Sequence, residues 1–191
     1  MDPWPYPLWI AHRGAGKLAP ENTLAAFRLG SSYDYRAFEC DVKLSADGVP
    51  FLLHDSSLDR TTSGHGLASN RTWQELSQLD AGGWHSCAFA GEPLPNLADV
   101  AGYCLLNDLA LNIEIKPTNG CDEHTGTVVA EHAARLWQNE SRKPLLTSFK
   151  PDALQAALDA APELPRGLLL HQLWTGWLET ALMLGCVAII C

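Results

Sequence analysis

The chain has 191 residues, and 47% of them are hydrophobic, which is enough apolar material for the core of one domain. Its net charge of -9 argues against nucleic acid or an anionic membrane surface as the main partner, because both bind a face rich in lysine and arginine. No apolar run approaches the roughly 20 residues of a membrane helix, so we expect no membrane span. The six cysteines lack the spacing of a metal site or a disulfide scaffold, so we expect reduced thiols in a cytoplasmic protein.

The first segment, MDPWPYPLWIAHRG, lacks the positive charge that opens a secretory signal peptide. After it, short apolar runs alternate with amphipathic stretches, which is typical of parallel strands covered by helices. Asn22 or Thr23 can cap a helix that ends at Leu29 with Gly30 behind it, and Pro151 opens a later helix. The predicted parallel strands are Leu8–Arg13, Ala37–Val42, Leu111–Lys116, Leu145–Phe149, Gly167–Leu170 and Cys186–Ile190.

A further apolar run, Val49–His54, does not fit the parallel scheme. The four residues before it, 45–48, are too few for a crossover of a dozen or more residues. Asp47–Gly48 is instead a strong turn signal, so we predict an antiparallel hairpin. Such a hairpin brings His54 and Asp55 level with residues 39–41.

The segment from Ser56 to Pro95 is rich in Ser, Thr, Gly, Trp and Asn, and we predict that it forms an insertion with one short helix near residues 72–78. The sixth predicted parallel strand ends next to Cys191. A closed eight-unit barrel takes roughly 250 residues. The expected fold class is therefore α/β, a single TIM-type (β/α) barrel domain over residues 1–191, C-terminally incomplete, with about six of eight parallel strands.

Polar residues stand at the carboxyl ends of the predicted strands, where barrels of this kind carry their reacting groups. Glu39 and Asp41 lie two apart, as do Glu114 and Lys116, so each pair points to one face. Three carboxylates converging without a cation would repel one another, which favours a hard divalent ion with oxygen ligands. The alternative is that the carboxylates are solvated, or paired with Arg13 and Lys116.

Two histidines are candidates for proton transfer, because the pKa of histidine lies nearest neutrality. His12 ends the first predicted strand and His54 ends the hairpin, whereas the other five histidines fall in the insertion or on helices and receive no role. Arg13 and Lys116 are suited to bind and neutralise phosphate oxygens.

Two longer motifs carry a family resemblance. AHRGAGKLAPENTLAAF resembles the opening of the glycerophosphodiester phosphodiesterase family, and ECDVKLSADGVPFLLHD resembles its second signature. The similarity continues in order through SLDRTTSGHG, LDAGGW, GEPLPNLADV, NIEIKP and LLTSF, and so covers most of the chain.

The resemblance implies a barrel of the phospholipase-C-like phosphodiesterase kind that hydrolyses glycerophosphodiesters to sn-glycerol 3-phosphate and an alcohol. It implies one divalent ion, Mg2+ or Ca2+, and a small-molecule substrate, and it allows an oligomer. The residues to which it gives roles are Glu39, Asp41 and Glu114 for the metal, His12 and His54 for acid–base catalysis, Arg13 and Lys116 for phosphate, and Phe149 and Trp84 for a wall of the substrate site beside the insertion at 56–95.

Two other functions stay open at this stage. Family members continue through a seventh and an eighth strand that this sequence lacks, so the chain could be an inactive fragment that persists as a binding remnant. A related barrel phosphodiesterase that acts on phosphoinositides, or cuts lipids to leave a cyclic phosphate, is the third reading.

Overall fold

The computed structural model describes residues 4–191 and contains helices and strands in alternation. The helices are α1 (Leu24–Ser32), α2 (Trp73–Leu76), α3 (Leu97–Leu106), α4 (Asp122–Leu136), α5 (Pro151–Ala160) and α6 (Trp177–Met183). The strands are β1 (Ala37–Leu44), β2 (Pro50–Leu52), β3 (Ala110–Ile115), β4 (Leu145–Ser148), β5 (Arg166–Leu169) and β6 (Cys186–Ile190). Two 3-10 helices, Ala68–Asn70 and Cys87–Phe89, lie between β2 and α3.

The strands form a six-stranded sheet in the order β2-β1-β3-β4-β5-β6. The pairs β3 with β4, β4 with β5 and β5 with β6 are parallel, and each pair is connected through one helix. Parallel neighbours joined by helical crossovers make this an α/β architecture. The sheet is open, with β2 and β6 at its two ends.

The predicted hairpin is confirmed. β1 and β2 are antiparallel, with Val42 opposite Leu52 and Leu44 opposite Pro50. The turn forms because Gly48 adopts a φ of +80° and the Ser45 hydroxyl accepts from the backbone N–H of Val49 at 2.9 Å. Pairing continues one residue past β2, since the Leu53 N–H donates to the Asp41 carbonyl at 3.1 Å. His54 therefore follows directly on the strand that flanks β1.

The predicted first strand, Leu8–Arg13, is wrong as an element. It is reduced to one parallel bridge between Ala11 and Phe38, in which the Ala11 N–H donates to the Ala37 carbonyl at 2.9 Å. The side chains before the bridge gain no cover: Leu8 is 84% exposed and Trp9 is 74% exposed. A strand needs a ladder of successive backbone pairs. Within residues 8–13 only Ala11 pairs with a strand, through its N–H and its carbonyl, so no strand forms.

The first helix begins as one of the two predicted caps requires, but it ends later than expected. Thr23 is the cap, and its hydroxyl accepts from the Ala26 N–H. Gly30 lies inside α1 instead of behind it. A Cβ at this position would overlap the Gly14 carbonyl and the Phe38 ring, so the glycine serves close packing and not helix termination.

The insertion has its own apolar core, and its short helix α2 lies within the predicted 72–78 range. The buried residues of this core are Phe51, Leu53, Leu58, Ala68, Leu76, Ala81 and Leu94. These side chains tie the insertion to β2, which is the strand that leads to His54. The insertion is thus packed around the hairpin as a structured part of the chain.

Shortening one of these side chains should destabilise the protein. Leu58 is 1% exposed, and we expect Leu58→Ala to lower the free energy of unfolding by about 2–5 kcal/mol, the usual cost of a leucine-to-alanine change in a core. Urea unfolding followed by circular dichroism measures the change. Leu67→Ala is the matched control, because Leu67 lies in the same segment but is 51% exposed. If Leu58→Ala lowered the free energy of unfolding no more than Leu67→Ala, the burial of Leu58 in this core would not stabilise the protein.

The chain divides into two compact units, one ending at Leu111 and the other beginning at Asn112. The second unit has a core of Leu154, Leu168, Leu170, Ala181 and Leu184. Assignment of residues 1–191 to a single domain stays a prediction. Across residues 4–191, none of the helices combines the length and the apolar character that a bilayer-crossing helix requires.

Candidate active site

Two carboxylates project from β1 and are almost fully buried: Glu39 is 8% exposed and Asp41 is 0% exposed. The side-chain amide of Asn22 donates to Asp41 Oδ2 at 2.8 Å, and its oxygen accepts from the Asp41 backbone N–H at 3.1 Å. Asn22 makes both contacts from a left-handed backbone conformation, with φ of +58°, which asparagine tolerates better than most residues. The sequence suggested Asn22 only as a helix cap, and its role in holding Asp41 was missed.

Arg13 lies against both carboxylates. Its backbone N–H donates to Glu39 Oε2 at 3.0 Å, and its Nε forms an ion pair with Asp41 Oδ2 at 3.1 Å. Its Nη1 donates to Glu21 Oε1 at 2.9 Å. Arg13 thus offsets part of the negative charge here, as the alternative reading of the sequence anticipated for Asp41.

His12 is close to the same carboxylates but faces solvent. Its Nε2 lies 3.8 Å from Glu39 Oε2, and its side chain is 65% exposed. Partial burial, followed by the charge of Arg13, lowers the pKa of His12 below its ordinary value. The lowered pKa favours the neutral imidazole, which is the form that can accept a proton.

His54 is held by its neighbour in the chain. Its Nδ1 lies 2.7 Å from Asp55 Oδ1. Hydrogen bonds from Arg60, and next from His54, keep the pKa of Asp55 far below its usual range despite partial burial. Because the ionised carboxylate can only accept, Nδ1 carries the hydrogen and Nε2 of His54 keeps its lone pair in the neutral ring.

Arg60 joins two of these acidic side chains. It donates to Asp55 through Nε at 2.6 Å and Nη2 at 3.0 Å, and to Glu21 through Nη1 at 2.9 Å and Nη2 at 2.8 Å. A continuous series of charged contacts therefore runs from Arg13 through Glu21, Arg60 and Asp55 to His54. Sequence reasoning missed Glu21 and Arg60 as members of the site, and it placed Asp55 level with residues 39–41 without giving it a role. The motifs PENT and LDRTT contained two of them, but nothing in the sequence indicated that they pair.

In the second unit, Glu114 lies on β3 and Lys116 follows the end of that strand. Lys116 Nζ donates to Glu114 Oε1 at 3.2 Å, and both side chains are mostly buried. Phe149 follows β4 and stacks on His171, with ring centroids 3.9 Å apart and an interplanar angle of 9°. The sequence gave no role to His171, whose stacking on Phe149 it could not indicate.

Trp84, the other residue predicted for a wall of the site, lies in the insertion and is 40% exposed. Its Nε1 donates to the Ala81 carbonyl at 2.8 Å, and its ring meets the His85 ring edge to face. These contacts fix the indole on the surface of the insertion. The assignment of Trp84 and Phe149 to a substrate wall stays a prediction.

The three predicted metal ligands come together. One carboxylate oxygen from each of Glu39, Asp41 and Glu114 lies within 4.8 Å of the other two. Ligand oxygens of Mg2+ or Ca2+ stand about 2.0–2.6 Å from the ion, so oxygens on one ion are separated by up to about twice that distance. The spacing and the all-oxygen donor set both fit one hard divalent cation.

Comparison with known proteins places this arrangement in a family context. A model of the glycerophosphoryl diester phosphodiesterase family matches residues 12–184. The glycerophosphodiester phosphodiesterase of Caldanaerobacter subterraneus subsp. tengcongensis is 36% identical over 166 residues, which are 85% of this chain and 66% of that relative. YhdW of Bacillus subtilis is 33% identical over 162 residues, which are 84% of this chain and 64% of that relative.

Solved structures of phosphodiesterases are also similar to this chain. A phosphodiesterase from Oleispira antarctica, determined in complex with the product sn-glycerol-3-phosphate, has a TM-score of 0.89 at 34% identity, covering 96% of this chain and 74% of that chain. A glycerophosphodiester phosphodiesterase from Agrobacterium tumefaciens has a TM-score of 0.74 at 28% identity, covering 95% of this chain and 84% of that chain. The likeness confirms the expected fold class, α/β of the barrel kind, here with an open six-stranded sheet.

The chain spans just under two thirds of the length of the two curated relatives, at 66% and 64%. Within that span the family model reaches from His12, the first predicted catalytic residue, to Leu184 behind α6. The chain belongs to the glycerophosphoryl diester phosphodiesterase family.

Proposed function

We propose that the protein hydrolyses glycerophosphodiesters, the deacylated forms of phospholipids, to sn-glycerol 3-phosphate and an alcohol. The observation that supports the proposal is the acidic cluster of Glu39, Asp41 and Glu114, because one carboxylate oxygen from each lies within 4.8 Å of the other two, a spacing that suits ligands of one ion. The solved relative from Oleispira antarctica supports the substrate class, since that enzyme holds sn-glycerol-3-phosphate as its product.

In this proposal Glu39, Asp41 and Glu114 hold one divalent ion, Mg2+ or Ca2+. When bound, such an ion stabilises the negative charge that grows on phosphoryl oxygens. Arg13 and Lys116 add fixed positive charge for the same oxygens. Phe149 and Trp84 line the side of the site that faces the glycerol or the alcohol.

The proposed reaction has two steps that share the histidines. His12 takes the proton of the free glycerol hydroxyl next to the ester, whose oxygen attacks phosphorus. His54 enters this step protonated on both ring nitrogens, gives its Nε2 proton to the departing alcohol and is left as the neutral Nδ1–H ring. A five-membered cyclic phosphate results. Water then adds to phosphorus with the roles reversed: His54 takes its proton and His12 protonates the ring oxygen as its bond to phosphorus breaks. An attacking hydroxyl within the substrate gains a high effective concentration.

The experiment that tests this function measures release of sn-glycerol 3-phosphate from sn-glycero-3-phosphocholine by the full chain. We expect release in Mg2+ or Ca2+ that stops with EDTA and returns when the metal is restored. No release with either metal would contradict the proposal and leave the inactive-fragment reading. A cyclic phosphate as the final product would identify the related phospholipase-type reaction instead.

Removal of one proposed ligand should weaken metal binding. We expect Glu114→Gln to bind Mg2+ or Ca2+ at least roughly 10–100-fold more weakly, since even residues that only support metal ligands change affinity by that factor. Isothermal titration calorimetry measures the affinity. Glu131→Gln is the control, because Glu131 is exposed on α4. Unchanged affinity in Glu114→Gln would remove Glu114 from the ligand set.

A further inference from the structure

Arg60 makes more hydrogen bonds to carboxylates than any role in the reaction explains. Its guanidinium donates to both oxygens of Asp55 and both oxygens of Glu21, over distances of 2.6–3.0 Å. Asp55 lies five residues before Arg60, whereas Glu21 lies 39 residues before it. A planar guanidinium can serve two carboxylates at once, which a lysine amine cannot do with the same geometry.

The contact with Asp55 matters because Asp55 holds His54. Asp55 Oδ1 lies 2.7 Å from His54 Nδ1 and 3.0 Å from Arg60 Nη2, while Asp55 Oδ2 lies 2.6 Å from Arg60 Nε. With both oxygens engaged, the carboxylate cannot rotate about its terminal bond. The imidazole of His54 is therefore held in one plane and one tautomer, with Nε2 directed away from Asp55.

We propose that Arg60 is a positioning residue for His54 and acts through Asp55. The inference rests on the proposed function, in which His54 protonates the departing alcohol. Arg60 touches neither the substrate nor the metal in this account. Its effect is to keep the Nε2 of His54 at the angle that the leaving oxygen requires, and proton transfer is sensitive to such placement.

The second carboxylate that Arg60 contacts, Glu21, holds Arg60 in place. Glu21 Oε1 accepts from Arg60 Nη2 at 2.8 Å and from Arg13 Nη1 at 2.9 Å. Burial raises the pKa of Glu21, but the hydrogen bond from Arg60 and the charge of Arg13 outweigh it and lower the pKa overall. Glu21 is thus ionised and fixes Arg60 against the same segment that carries Arg13.

Arg60 lies near the surface, so its effect on activity can be tested separately from its effect on folding. The side chain of Arg60 is 44% exposed. Exposed ion pairs of this kind contribute little to stability, so Arg60→Ala should remain folded. The matched control is Arg71→Ala, because Arg71 lies in the same insertion, is 49% exposed and has an ion pair with Glu75 at 3.3 Å.

The decisive experiment compares two substrates that differ in the departing alcohol. sn-Glycero-3-phosphocholine needs a proton on its leaving oxygen, whereas the 4-nitrophenyl ester of glycerol 3-phosphate releases a stable phenolate without one. In single-turnover mixing, which reports departure of the alcohol alone, we expect Arg60→Ala to slow choline release by about 10–100-fold and to leave nitrophenolate release within about threefold of the original chain. Arg60→Lys should recover part of the loss, and Arg71→Ala should match the original on both. Equal losses on the two substrates would overturn the proposal.

A second readout does not require turnover. In 15N NMR of the histidine side chains, recorded at a pH at which the His54 ring is neutral, we expect His54 to be the Nδ1–H tautomer in the original chain and a mixture of tautomers in Arg60→Ala and, less strongly, in Arg60→Lys. An unchanged tautomer in Arg60→Ala would refute positioning even if activity falls. If the original chain hydrolyses neither substrate, the proposed function fails while the NMR comparison still decides whether Arg60 holds His54.

Discussion

Replacing His12 by alanine is expected to lower kcat on sn-glycero-3-phosphocholine by about 10²–10⁴-fold, the usual contribution of a general base. His12 lies close to one of the β1 carboxylates, with Nε2 3.8 Å from Glu39 Oε2. Its side chain is largely exposed, so the change should alter the free energy of unfolding by only about 0.5 kcal/mol or less. Steady-state release of sn-glycerol 3-phosphate and a urea unfolding curve on the same preparation measure the two quantities.

The control for His12→Ala is His124→Ala, because His124 is exposed on α4 and has no part in the proposed reaction. We expect His124→Ala to retain the activity of the original chain. Turnover in His12→Ala within a few-fold of the original would show that His12 is not the base. The mechanism would then need another acceptor for the proton of the glycerol hydroxyl.

Asp41→Asn is expected to lower metal-dependent turnover by roughly 10³-fold or more, because it affects both the proposed metal ligand and two contacts that hold it. The substitution keeps the size of the side chain but removes one negative charge from the proposed ligand set. It also removes the ion pair with Arg13 Nε at 3.1 Å and the negative charge on the acceptor of the Asn22 amide at 2.8 Å. Activity across a series of Mg2+ concentrations measures the effect.

Asp159→Asn serves as the comparison, because Asp159 is exposed on α5 and only accepts a hydrogen bond from Gln155. If the loss in Asp41→Asn came from a damaged fold, its near- and far-ultraviolet circular dichroism would differ from that of Asp159→Asn. We expect both spectra to match the original chain. Full recovery of the Asp41→Asn variant at high Mg2+ would mean that Asp41 tunes affinity but is not needed for the chemistry.

Much of the site could be predicted because it lies on regular elements. Side chains two apart on a strand share a face, so Glu39 with Asp41 and Glu114 with Lys116 were readable from spacing alone. The turn at Asp47–Gly48 then fixed the return of the chain toward β1. These local rules were sufficient to bring His54 next to the β1 strand, and the antiparallel register confirms it.

The unpredicted part depends on contacts that are distant in sequence. Glu21 and Arg60 meet across 39 residues, and no periodicity links a residue before α1 with one in an insertion. Asn22 could be read as a cap, yet its backbone φ of +58° turns its amide toward Asp41 instead. Such pairings arise from the placement of loops, which local propensity does not encode.

The error at residues 8–13 has a similar cause. The run has the composition of a strand, but strand formation requires pairing partners, and only Ala11 finds one. Gly30 shows the opposite case, where a residue typical of helix ends is placed inside a helix because the Phe38 ring leaves no room for a Cβ. In both places tertiary contacts outweigh the local signal.

The most direct test of the central claim is a crystal of the full chain soaked with Mn2+, a divalent probe with a strong anomalous signal, together with sn-glycerol 3-phosphate. We expect one anomalous peak within about 2.5 Å of carboxylate oxygens from Glu39, Asp41 and Glu114, with a phosphate oxygen on the same ion. A peak at other residues, or the phosphate bound away from these three carboxylates, would contradict the account.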